Sequence, residues 1–174
     1  MSGSVAFVDE SRRGQRYLLA CASVEIHRVA EVRRQLRSLV AAPRRRIHFN
    51  SEPVARRRWL LERFDGFPVQ VVVTETVIGH HQREYTARAL LLTRLVEELQ
   101  ASGVTRLVIE SRDAGDRDDR RVIDAVRRSE PALVYEHFLP GQEPLLWLAD
   151  AYAWAVGAGR QWSDLVPNTL LYRA

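Results

Sequence analysis

Short β-branched runs alternate along this chain with stretches of helical period. Residues 5–9 (Val-Ala-Phe-Val-Asp) predict a first strand, apolar enough to be covered on both faces. Residues 11–15 predict a turn with Gly14 at its tip, and 17–24 a second strand that pairs back as a hairpin. From 27 to 40 the period becomes helical, with Val29, Val32, Leu36 and Leu39 on one stripe and Arg33 and Arg37 off it; Pro43 ends it. Ser51 and Pro53 open a short helix to residue 64, broken by Gly66 and Pro68. A third strand is expected at 69–78, a long helix at 82–102 closed by Gly103, and a fourth strand at 104–109 running into Glu110. A helix over 117–129 is stopped by Pro131, a fifth strand covers 132–139, and Pro144 opens a final helix over 144–157. Trp162, Leu165, Leu170 and Leu171 predict that the tail packs. A hairpin followed by alternating strands and helices implies an α/β fold, a mixed sheet with helices on its faces. Sites in such sheets gather where strands end.

The length of 174 residues fits one domain, 1–174, with 28–65 as a helical insertion between the second and third strands. No apolar run approaches the roughly 20 residues needed to span a bilayer, and the N-terminus does not read as a signal peptide. The expectation is a soluble cytoplasmic protein without a membrane partner. The lone Cys21 lies in an apolar run, which excludes a disulfide framework and a cysteine zinc site. All 26 basic residues are arginine, whose fork suits phosphate. Residues 28–63 hold eleven arginines against three acids, a surplus of eight in a chain whose net charge is +4. A basic segment beside an acidic remainder fits a polyanion-binding element on an acid-bearing core. Arg33, Arg37, Arg44, Arg45, Arg46, Arg56 and Arg57 are the candidate nucleic-acid contacts.

Three carboxylates stand where an apolar core should exclude them: Asp9 at the end of the first strand, Glu110 at the end of the fourth, and Asp150 within Leu145–Trp154. A buried carboxylate needs a cation, either an arginine or a metal. Glu10 follows Asp9 and should point to the opposite sheet face, so it is secondary. Asp113 could still reach the site, whereas Asp116, Asp118 and Asp119 read as solvated or helix N-terminal acids. His48 in the basic loop could position water or pass a proton. His80-His81 reads as an exposed turn, and Glu136 and His137 alternate across a strand. No HExxH motif, phosphate loop or nucleophile elbow is present, which argues against a zinc protease, a P-loop NTPase and a serine hydrolase.

Val8-Asp9-Glu10-Ser11, Ile47-His48-Phe49 and Pro144-Leu145-Leu146-Trp147-Leu148-Ala149-Asp150 together resemble the domain-of-unknown-function family 3800, which has an RNase H-like fold. The resemblance spans nearly the whole chain. It implies a mixed five-stranded sheet in the order 3-2-1-4-5 with an acidic metal site at one end of the central strands. Asp9 and Asp150 match the family's strand-one and last-helix acids, and Glu110 the strand-four position. Glu84 is the nearest match to an acid that RNase H-like enzymes add from the helix after the third strand. Family members also carry an acid beside the position of His48, where this chain has Arg46-Ile47.

Three functions fit these residues. The first is a metal-dependent nuclease in which Asp9, Glu110 and Asp150 hold one or two Mg2+ or Mn2+ ions, His48 assists, and the basic segment holds RNA or DNA by its phosphates. The second is a catalytically silent nucleic-acid- or protein-binding module on the same fold. The third is an enzyme acting on a small phosphorylated substrate, which leaves the arginine-rich segment without a role.

Overall fold

The computed structural model describes residues 3–130, 132–167 and 169–173, so the expected helix stop at Pro131 lies outside the described residues. Strands β1 (Ser4–Arg13) and β2 (Arg16–Glu25) form the expected hairpin but outrun their predicted lengths. The turn expected at 11–15 shrinks to Gly14-Gln15, because Ser11, Arg12 and Arg13 pair with Leu18, Tyr17 and Arg16. Gly14 turns at φ 60, a left-handed conformation that costs glycine little. A 3₁₀ turn leads into α1 (Val29–Ser38), and α2 (Val54–Phe64) follows. Then come β3 (Gln70–Val77), α3 (Glu84–Ala101), β4 (Val104–Glu110), α4 (Asp116–Val126), β5 (Val134–Phe138) and α5 (Leu146–Ala158).

The described strands form one mixed α/β sheet in the order β5-β4-β1-β2-β3-β6. The expected five-stranded order is present within it, and the correction is a sixth strand. After the short α6 (Arg160–Ser163), the tail forms β6 (Thr169–Arg173), parallel to β3. Sequence pattern missed it because an edge strand of five residues, with Leu170 and Leu171 both exposed, carries no clean alternation.

Two apolar cores sandwich the sheet. One joins Val5, Phe7, Leu18 and Val73 to α1, α2 and α5; the other joins Ala6, Val8, Leu19 and Ile109 to α3 and α4. The basic segment is therefore no loose arm: Val32, Leu36, Phe49, Leu60, Leu61 and Phe64 are all buried in the first core. Cys21 is a buried core residue, its thiol pushed up to about 12 by burial. Strand parity then decides the chemistry. Val5 and Phe7 face α5, so Asp9 does too; Ala6 and Val8 face α3, so Glu10 does too. Among the described residues, no helix is long and apolar enough to cross a membrane.

Candidate active site

β1 and β4 run parallel, with Val8 opposite Ile109, and the next residue on each strand is an acid. Val108 shares the α5-facing core, so by parity Glu110 also projects to that face, beside Asp9. α5 packs across both strands and brings Asp150 over them. The three carboxyls and His48 line one cleft of about 230 Å³, with Arg46 and Arg112 among its other walls. Four candidates scattered over 140 residues of sequence are thus brought together by the sheet and one helix.

The electrostatics are those of a crowded anionic site. Burial raises the Asp9 carboxyl well above its ordinary value, and the charges of Glu110 and Asp150 raise it further; the Glu10 N–H, donating to Asp9 Oδ1 at 2.7 Å, opposes this only in part. Glu110 is raised by burial and by Asp150, against a hydrogen bond from Asp9 and the charge of Arg46. Asp150 is raised by burial, against the Phe49 N–H, which donates to its Oδ2 at 2.8 Å, and against His48 and Arg46. The Phe49 contact also anchors the loop that presents His48. Arg57 holds the same loop from behind, donating to the carbonyls of Phe49 and Asn50, and its guanidinium lies 4.4 Å from the Trp154 ring.

The secondary candidates fare differently. Glu10 also lines the cleft, but its carboxylate turns to the α3 face, where it accepts from Tyr17 and Arg88. Glu84 does not reach the cleft; it pairs with Arg12 at 2.6 Å on the surface, because α3 begins beyond the hairpin tip. Asp113 is exposed at φ 52 in the turn before α4 and does not line the cleft.

Asp116 and Asp119, expected to be solvated or helix N-terminal acids, stand in the first turn of α4 and are buried there. With His137 they bring three potential ligand atoms within 4.8 Å of one another. The Asp119 charge, however, is already matched, and the Asp116 oxygens are already hydrogen-bonded. Arg88 grips both Asp119 oxygens at 2.7 Å, and although burial opposes it, this fork together with His137 holds that carboxyl well below the usual carboxylate range. Asp116 accepts from Ser111 Oγ and the Arg112 N–H. This is an ion-pair network beneath the site and not a vacant cation seat. Arg88 was legible in principle, as the one charge on the row 88, 92, 95, 99 of α3.

The arginines of the basic segment are unequal. Arg33 forks onto Glu143 at the entry to α5, Arg44 donates from Nη1 to both oxygens of the buried Glu52, and Arg56 donates to the Leu39 carbonyl at 2.6 Å. With Arg57, these four of the seven candidates hold the segment together. The side chains of Arg37, Arg45 and Arg46 make no ion pair or hydrogen bond among the described residues. Sequence counting could not separate the two groups, because the partners lie up to 110 residues away.

No protein-family model matches the chain and no curated protein matches its sequence, so membership of family 3800 gains no support. Solved structures do match. Ribonuclease H2 from Pyrococcus horikoshii OT3 superposes with a TM-score of 0.60 at 17% identity, covering 89% of this chain and 72% of that one. RNase HII from Archaeoglobus fulgidus, solved in complex with PCNA, gives 0.59 at 17% identity, covering 88% and 72%. Bst-RNase HIII in complex with Mn2+ gives 0.58 at 16% identity, covering 90% of this chain and 52% of that one. The chain has the RNase H-like fold.

Proposed function

We propose that this protein is a divalent-metal-dependent nuclease that hydrolyses phosphodiester bonds at the Asp9–Glu110–Asp150 cleft. The observation that carries the reading is the contrast between the two sheet faces. On the α3 face every buried acid has an arginine or a donor matched to it. On the α5 face three acids crowd together, each held above its ordinary proton affinity, with Arg46 offsetting Glu110 and Asp150 only in part and His48 offsetting Asp150 alone. An all-oxygen donor set with surplus negative charge fits a hard cation. Asp9, Glu110 and Asp150 would hold Mg2+ or Mn2+, which when bound would supply Lewis acidity for phosphodiester hydrolysis. Around it, Arg46 and Arg112 flank the cleft and orient the phosphate, and exposed His48 moves a proton at the rim. Arg37 and Arg45 attract the nucleic-acid backbone by charge without reading bases.

The motifs that resemble family 3800 meet at this same cleft, since Asp9, Ile47, His48 and Asp150 all line it. The structural neighbours are ribonucleases by name, one of them with Mn2+, so a strand containing RNA is the first substrate to try. Cleavage of RNA, single-stranded DNA and an RNA–DNA hybrid is expected to require Mg2+ or Mn2+. It should fall on the order of a thousandfold in Asp9→Ala and in Asp150→Ala. Activity that survives both substitutions sinks the assignment. Arg46-Ile47 in place of an acid before His48 favours a second reading, a silent binding module on the same fold. A calorimetric titration without Mg2+ or Mn2+ binding decides for it.

A further inference from the structure

A second hollow, of about 400 Å³, lies at the far end of α5. Arg16 enters it from the start of β2, Arg160 from α6 and Arg173 from the end of β6, and Ser163 and Thr169 also line it. No carboxylate lines it among the described residues. Glu75 sits beneath, pairing with Arg16 Nε at 2.8 Å, and that pair fixes the Arg16 fork. Arg160 and Arg173 are exposed, and their guanidinium groups have no ion pair or hydrogen bond among the described residues. Three guanidinium groups from three elements around one hollow, those of Arg160 and Arg173 unpaired, have the chemistry of a phosphate site.

Its position relates it to the cleft. Trp147, Asp150, Trp154 and Gly157 recur at helical spacing, so they form one stripe along α5. Trp147 and Asp150 line the cleft. Trp154 carries Arg57 at 4.4 Å and Arg13 at 4.9 Å. The Gly157 carbonyl accepts from Arg16 at the hollow's edge. A Cβ at Gly157 would lie 3.1 Å from Arg13 Cγ, so glycine is what lets the hairpin tip lie against the helix there. Arg13 rests on Trp154 with its Nη2 donors unpartnered. From Asp150 to the residues bounding the hollow the helix advances about 9–13 Å. That is roughly three to four steps of a duplex at 3.4 Å per step.

Resting on the nuclease reading above, we propose that the hollow bounded by Arg16, Arg160 and Arg173 is a second phosphate site. It grips the backbone of the nucleic-acid substrate three to four steps from the bond held over Asp9, Glu110 and Asp150. It serves as a ruler, setting the length of duplex needed on one side of the cut.

The test uses the full chain in calcium buffer and reads fluorescence anisotropy with an end-labelled RNA–DNA hybrid, shortened one base pair at a time from either end. Arg160→Ala with Arg173→Ala should weaken binding of the long hybrid about tenfold and lower the salt slope by about 1–2. The difference from the wild type should vanish once one flank is shorter than about three to four base pairs. Arg117→Ala with Arg120→Ala, two exposed arginines on α4, removes the same charge and controls for it. An equal loss in that control overturns the site, as does a test variant that binds like the wild type or a loss that ignores flank length. In each of those cases wild-type binding persists and the nuclease reading stands; a wild type that binds no nucleic acid removes both.

Discussion

At Asp9, burial and two neighbouring carboxyls all favour the protonated form. The sign of the consequence follows from linkage. Between the unfolded value near 4 and the raised folded one, the folded chain holds the extra proton, so stability falls as pH rises through that window. Asp9→Asn should therefore raise the Tm of the metal-free protein at neutral pH by about 2–4 °C, while removing cleavage. Thermal melts across pH 4–8 check it, and an unchanged or lowered Tm at neutral pH contradicts it. Arg112 is the residue that sequence reasoning passed over. It lines the cleft, its ion pairs to Glu10 and Asp119 are long at 3.5 and 3.7 Å, and its buried Nε has no hydrogen-bond partner. A fork so loosely held is ready to accept a phosphate oxygen. Arg112→Ala is expected to lower kcat/KM about tenfold or more with the fold intact, and steady-state kinetics beside circular dichroism measure both. Asp9, Glu110 and Asp150 were legible because a carboxylate inside an apolar strand or helix is expensive. Arg112 was not, because nothing in the polar loop around it marks where its side chain returns.

Among the elements, β1 is the divider. Its two-residue period sends Asp9 to the crowded face and Glu10 to the compensated one, and that split follows from alternation alone. What lies under Glu10 did not follow. Arg88 on α3, 4% exposed, ties β1 to α4 through Glu10 and Asp119. Arg88→Met leaves Glu10 and Asp119 only the long pairs to Arg112 as arginine partners and should cost about 3–5 kcal/mol, read from urea unfolding. Since Asp119 is held below its ordinary value, its contribution is present above about pH 4 and lost as pH falls further. The wild type should thus lose stability in acid more steeply than Asp119→Asn. The α1–α2 segment looked like a basic appendage by composition. It is a core element, and Phe64→Ala should cost about 3–5 kcal/mol, which no solvated arm would show.

For the whole molecule, a cation bound to the folded state alone must raise stability, by about 2.7 kcal/mol at a hundred times its Kd. Mn2+ should raise the Tm of the wild type and leave that of an Asp9→Asn, Asp150→Asn double variant unmoved. A shift that persists in the variant places the ion elsewhere, with Asp116, Asp119 and His137 the group to test next. Hydrophobic period by itself determined β1 to β5 and the long helices, the α/β class and, through strand parity, that Asp9 and Glu10 take opposite faces. These depend on the backbone's own repeat and on neighbours close in sequence. Folding decided the rest: the edge strand β6, the pairing of Arg33 with Glu143 and Arg88 with Asp119, and the hollow at the end of α5. Each joins residues dozens of positions apart, and a charge's partner is set by distance in space, which periodicity along the chain does not encode.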